Sequence, residues 1–196
     1  YRLRMKCMNI NYVKASNKDY KKICLFVSYR SHLNKSTRLY IKFMSDLGYT
    51  ICHVNNLPTS KIDLEYLSEF HCICFDRKNI GRDIGAFKDS FLFLEDQGIL
   101  DDLDVLAFAN DSVQFIPGKI ANQFRDKVLE FEKSDSPALF THQSQEFYPH
   151  YQSFFCILKN KVFKDAKYIR FWKEYKPLND RNHAIYNGEI LLSRLF

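Results

Sequence analysis

The chain reads as an α/β protein with a mostly parallel open sheet flanked by helices, and three observations predict this. Short apolar runs recur along the chain, and most are continuous rather than alternating. That pattern suits strands covered on both faces, as in parallel sheets. The stretches between them repeat apolar residues at spacings of three and four, the mark of a helix with one buried stripe. Finally, 196 residues at 46% hydrophobic and 27% charged, with only 6 Gly and 5 Pro, suit a single packed domain. Those figures exclude a disordered, collagen-like or low-complexity chain.

In chain order, the strand candidates are Ile23 to Val27, Thr50 to Val54, Cys72 to Phe75, Val105 to Ala109 and Ala138 to Phe140. A sixth, Ser153 to Leu158, follows a polar turn region. Between them, Leu39, Tyr40, Phe43 and Leu47 share a helix face that Gly48 stops. Ile84, Phe87, Phe91 and Leu94 form a second stripe. Ile120, Phe124, Val128 and Phe131 form a third, entered after Pro117-Gly118. Tyr168 to Tyr175 and Glu189 to Phe196 read as two late helices. Strands alternating with helices imply parallel pairing with right-handed crossovers. The organisation expected is a basic lead-in over 1–22 and one domain over 23–196, part of a longer chain. No apolar run approaches the ~18 residues that cross a bilayer.

The net charge of +6 resides in residues 1–22, which carry seven basic side chains against Asp19 alone. The remaining residues balance 22 basic against 22 acidic groups. A nucleic-acid-binding body would carry its positive stripe on the folded surface, so no nucleic-acid partner is expected. The lead-in reads as a solvated entry to the first strand, or as a stretch that approaches anionic lipid or phosphate. Six cysteines raise the question of disulfides. Five of them, Cys24, Cys52, Cys72, Cys74 and Cys156, fall in strand-like stretches and read as buried free thiols. Cys72 and Cys74, spaced C-x-C, are expected on opposite faces of their strand, and no second pair stands at zinc spacing. A reduced, cytoplasmic setting follows.

In an open parallel sheet, ligands sit beyond the carboxyl ends of the strands. The polar residues that follow the apolar runs are therefore the candidates. Ser28-Tyr29-Arg30 closes the first run. Arg77 to Ala86 links the third run to a helix, with Gly81 and Gly85 for close backbone approach and Arg77, Lys78 and Arg82 as cationic donors. Free N–H groups at that helix start favour an anion. The plain alternative is a tight turn capped by Asp83 or an earlier residue. The segment is neither a phosphate-binding Walker loop nor a dinucleotide fingerprint. Asn110-Asp111-Ser112 delivers an amide, a carboxylate and a hydroxyl to the tip of the fourth run. Oxygen ligands of this kind suit Mg²⁺ or Mn²⁺ on a diphosphate, and a capped turn is the alternative. His150-Tyr151-Gln152 leads into the sixth run at Ser153; Gln152 and Ser153 offer hydrogen bonds to sugar hydroxyls, and His150 flanks them as a loop histidine, more often a surface residue than a ligand. Glu189 opens an apolar stretch, where a helix dipole would keep its carboxylate ionised for use as a general base.

Together these segments resemble the rhamnan synthesis protein F family. The resemblance rests on R-x-N-x-G-x-D-x-G-A at Arg77 to Ala86, N-D-S at Asn110 to Ser112 and Q-S-x-F at Gln152 to Phe155, with Phe171-Trp172 and Glu189 after them. It spans roughly residues 20–196. It implies a GT-A glycosyltransferase of bacterial surface polysaccharide synthesis that uses a nucleotide-diphosphate sugar, rhamnose-type or another hexose. More loosely, the order resembles the inverting GT-A synthases. On that reading Asn110-Asp111-Ser112 stands at the D-x-D location, with Asp111 as the metal-binding acid and Glu189 as the base. Donor contacts would come from Ser28, Tyr29, Arg77, Asn79, Gly81, Arg82, Asp83, Asn110 and Ser112. His150, Gln152 and Ser153 would meet the acceptor. The implied partners are a lipid-linked glycan at the inner face of the cytoplasmic membrane and further glycosyltransferase domains. The alternative is a non-catalytic glycan- or nucleotide-sugar-binding module of a larger polysaccharide-synthesis protein.

Overall fold

The computed structural model of the protein describes residues 9–14 and 20–196. Most of the basic lead-in, with Arg2, Arg4, Lys6, Lys18 and Asp19, lies outside the described residues.

The strands are β1 (Asn9–Lys14), β2 (Lys22–Ser28), β3 (Thr50–Asn55), β4 (Cys72–Asp76), β5 (Val105–Asn110), β6 (Ala138–Phe140) and β9 (Phe155–Lys159). They form one seven-stranded sheet in the order β1-β4-β3-β2-β5-β9-β6. Each strand candidate read from the sequence is in it. The central four, β4, β3, β2 and β5, pair in parallel. β9 runs antiparallel between β5 and β6, and β1 pairs antiparallel with β4 at the other edge. The stretch read as a lead-in thus contains a strand. A separate two-stranded hairpin, β7 (Gln143–Ser144) with β8 (His150–Tyr151), occupies the region read only as a turn.

Strand periodicity divides the core in two. Ile23, Leu25 and Val27 face one side, with Phe75, Leu106 and Phe108. Cys24 and Phe26 face the other, with Ile51, Ala107 and Phe155. The first side is covered by α3 (Arg82–Asp96), α4 (Ile99–Asp102), α6 (Asn160–Phe163) and α7 (Ala166–Glu174), which bring Phe87, Phe91, Tyr168 and Trp172. The second is covered by α1 (Lys35–Asp46), α2 (Lys61–Leu67) and α5 (Lys119–Lys133), which bring Tyr40, Met44, Leu67 and Val128. Asn34 caps α1 by accepting the Thr37 N–H at 2.9 Å, and Gly48 ends it at φ +86°. That left-handed backbone costs a glycine little.

Two expectations change here. Residues two apart on a strand return to the same face, so Cys72 and Cys74 both point into the second core, their sulfurs 3.1 Å apart. The five described cysteines are free and buried. Ile120, read as part of the α5 stripe, is 74% exposed, and the buried face of α5 begins at Ala121.

Candidate functional site

Parallel pairing brings the ends of β2, β4 and β5 to one rim, so residues far apart in sequence meet there. At the β5 tip, Asn110 is fully buried. Its Nδ2 donates to Asp83 Oδ2 at 2.8 Å, and its Oδ1 accepts the Ser112 N–H at 3.2 Å. Asp111 turns toward the β2 end. Its Oδ2 accepts the Tyr29 N–H at 3.2 Å and lies 2.8 Å from Arg30 Nε. Arg30 in turn donates from a terminal nitrogen to the Asp111 carbonyl at 3.2 Å.

The β4–α3 connection supplies the next wall. Gly81 at φ +80° and Arg82 at φ +55° are consecutive left-handed residues. Such backbone in a non-glycine residue is strained and concentrates at functional sites. No side chain caps α3, so the capped-turn alternative does not hold; Asp83 reaches across to Asn110 instead. Burial pushes the Asp83 carboxyl up to about 6, and the nearby Asp111 and, more weakly, Glu189 push the same way. The Asn110 hydrogen bond and Arg82 oppose that shift.

The opposite wall comes from the end of the chain. A short α8 (Arg181–His183) runs directly into a π-helical segment, Ala184–Ile190, and then α9 (Leu191–Ser193). Glu189 therefore lies inside a helical stretch rather than at a helix start, away from the helix dipole the sequence suggests, and its side chain is positioned by its neighbours. Glu189 Oε1 accepts both the N–H and the hydroxyl of Ser153, at 2.8 and 2.6 Å. Its Oε2 lies 3.5 Å from Nε2 of the buried His150, whose Nδ1 donates to the Tyr148 carbonyl at 2.8 Å. π-Helical turns are frequent at functional sites. Gly188 lets this one approach α3 closely, since a Cβ there would meet Ile84 Cγ2 at 3.0 Å.

Beside this rim lies a cleft of about 170 Å³ whose lining leaves out Arg30, Asn110 and Asp111 and includes Arg82, Asp83, Ser112, Gln152, Ser153 and Glu189. These six lining residues are all sequence candidates. Arg181, paired with Glu146 at 2.6 Å, adds charge to its lining. The connection between β7 and β8 places Glu146 and the start of α8 places Arg181, and no local pattern marks either. A larger hollow of about 1050 Å³ lies on the flank between α3 and the end of α7, along Lys88, Glu95, Lys173 and Tyr175. It holds none of the strand-tip residues.

Other candidates are placed differently. Ser28 is fully buried, its hydroxyl 3.0 Å from His53 Nε2. Arg77 is a buried strut. Its Nε donates to Asp89 at 2.8 Å, and its terminal nitrogens reach Asn56 Oδ1 and the Ile80 carbonyl. A donor cannot reach either residue as they stand. The glycines serve packing, not ligand approach: a Cβ on Gly81 would lie 2.1 Å from Pro177 Cβ, and one on Gly85 2.2 Å from the Ile80 oxygen. Asn79 is half-buried outside the cleft lining, and its Oδ1 has no hydrogen-bond partner among the described residues. His150 sits behind Glu189, 3% exposed, rather than facing an acceptor. Tyr29 is 55% exposed beside Asp111.

Among the described residues no group of three or more His, Cys, Asp or Glu side chains could hold a metal ion, and no helix is long and apolar enough to cross a membrane.

No family model matches the chain. It is 30% identical over 166 residues to the uncharacterized protein y4gN of Sinorhizobium fredii, a match covering 84% of this chain. The chain spans 42% of that relative's length. Among solved structures it is similar to core-mannan synthase A from Aspergillus fumigatus in its Mn/GDP form. The TM-score is 0.35 and the identity 12%, over 95% of this chain and 70% of that one.

Proposed function

We propose that this chain is the catalytic domain of an inverting glycosyltransferase that takes its sugar from a nucleotide-diphosphate donor. One observation carries the reading: a single cleft at the carboxyl rim of a parallel sheet is lined by Arg82, Asp83, Ser112, Ser153 and Glu189, which belong to separate segments of the chain. In such sheets the rim is where ligands bind. The Glu189 carboxylate and the Arg82 guanidinium line that same cleft, and moving a glycosyl group from a phosphate oxygen to a hydroxyl calls for a base and a positive charge.

In this reading Glu189 is the general base. Ser153 holds the carboxylate in place through Oε1, and the side chain lines the cleft. As the acceptor hydroxyl loses its proton to the Glu189 carboxylate, its oxygen bonds to the anomeric carbon. The bond from that carbon to the diphosphate oxygen breaks, and the diphosphate leaves with the electron pair. A single displacement of this kind inverts the anomeric centre, in contrast to two-step retention. Charge developing on the leaving group must be met by fixed positive groups, and Arg82 lines the cleft for that role. Gln152 and Ser112 would orient the sugars. The motif resemblance supplies the rest: a rhamnose-type or other hexose donor, and a lipid-linked glycan acceptor at the inner membrane face.

The test is a panel of GDP-, UDP- and dTDP-sugars incubated with the full chain and scored for nucleotide release, with Glu189→Gln beside the wild type. Release by the wild type and its loss in the variant support the reading. Tight donor binding without release, even with acceptor glycans present, would favour the non-catalytic module.

A further inference from the structure

The D-x-D location implies a divalent cation on Asp111, and the residues present do not fit one. A cation takes several oxygen ligands, and among the described residues no group of three or more His, Cys, Asp or Glu side chains could hold one. Asp111 Oδ2 already accepts the Tyr29 N–H and lies 2.8 Å from Arg30 Nε. The Asn110 oxygen is used by the Ser112 N–H, and Asp83 is tied to the Asn110 amide. A dication placed on Oδ2 would stand against a guanidinium.

We infer that Arg30 occupies the cation's role: its guanidinium, anchored on Asp111, is the fixed positive charge that holds the donor diphosphate. This rests on the reading of the rim as a nucleotide-sugar site. Arg30 is placed with care. Asn55 grips its backbone from both sides, accepting its N–H at 3.4 Å and donating to its carbonyl at 2.9 Å. Asp111 grips its side chain twice, through Oδ2 and through the main-chain carbonyl. A guanidinium carries five N–H donors in a planar fork. The contacts to Asp111 engage one edge of it, and the side chain stays 40% exposed. The remaining edge suits two oxygens of a diphosphate, a geometry arginine matches and lysine does not. Asp111 becomes a positioning residue for Arg30 rather than a metal ligand.

Calorimetry with GDP, UDP and dTDP as probes tests this on the full chain, in EDTA and in Mn²⁺. The expected result is that at least one nucleoside diphosphate binds with the same Kd in both conditions, within about twofold. Arg30→Gln should weaken that binding roughly 30-fold or more, the loss of charge-assisted hydrogen bonds, and Arg30→Lys should restore only part of it. Binding that EDTA abolishes, or that survives Arg30→Gln unchanged, overturns the inference and leaves the nucleotide-sugar reading standing. If the wild type binds none of the three in either condition, that reading falls and the inference with it. The EDTA comparison uses the wild type alone, so it decides even if a variant does not fold.

Discussion

Ser153 gives Glu189 two hydrogen bonds on one oxygen, the backbone N–H at 2.8 Å and the hydroxyl at 2.6 Å, both to Oε1. The strand entry at β9 and the π-helical segment are thereby locked together across 36 residues of sequence. The carboxylate of Glu189 is held with one oxygen committed and the other turned toward His150. This is how a side chain in the middle of a helical stretch becomes a fixed feature of a cleft.

Removal of that carboxylate by Glu189→Gln should lower turnover by about 10²- to 10⁴-fold, the usual contribution of a general base, with donor Kd nearly unchanged. Ser153→Ala keeps the backbone N–H bond and removes only the hydroxyl, so its loss should be much smaller. Steady-state kinetics and donor calorimetry on the two variants check this. Equal losses in both would argue that Ser153, not Glu189, meets the substrate.

Asp83 predicts a pH-dependent stability. Its carboxyl titrates at about 6 when folded against an ordinary 3.8. Between those values the folded chain keeps a proton that the unfolded chain has released, so this group's contribution falls as pH rises through the window. Above pH 6 the full cost, about 3 kcal/mol, is present. Asp83→Asn should therefore stabilise the protein at pH 7.5 and change little at pH 4. Urea denaturation at both pH values measures the difference; an equal effect at the two would remove the proton from the explanation.

Gly81→Ala meets two penalties. A left-handed backbone costs an L-residue about 1–2 kcal/mol, and the new methyl would lie 2.1 Å from Pro177 Cβ. A loss of roughly 3 kcal/mol is expected once overpacking is added. Gly48→Ala shares the backbone cost, at φ +86°, but its Cβ would meet nothing within 4 Å. Chemical denaturation should rank Gly81→Ala as clearly the worse of the two.

Arg77→Met should act on stability rather than on donor recognition. It breaks a buried ion pair with Asp89 and frees the Ile80 carbonyl. Loss of one partner of such a pair costs about 3–5 kcal/mol. A lowered melting temperature is the expected result, with nucleotide affinity intact in the fraction that remains folded.

The strand runs and the stripe Ile84, Phe87, Phe91 and Leu94 were legible because burial on a sheet or helix imposes a period on the sequence. The same logic led from the apolar runs to the residues just beyond them, and Arg82, Asp83 and Ser112 do line the cleft. Within the rim, residue type proved a poor guide to role. Arg77 and Arg82 are both cationic and five residues apart; the first is buried against Asp89 and the second stands at the cleft. Local sequence carries no sign of that difference, because it depends on which partner the fold places opposite each side chain.

By itself the sequence determined the alternation of strands and helices, the parallel heart of the sheet and the rim on which polar residues collect, since each follows from periodic burial along a short stretch. Only the tertiary structure decided that Arg30 meets Asp111, that His150 stands behind Glu189 and that Gly81 packs on Pro177. Those are pairings across 81, 39 and 96 residues. A charge or a close contact is fixed by what lies in front of it in space, and that neighbour is chosen by chain crossings that no local pattern encodes.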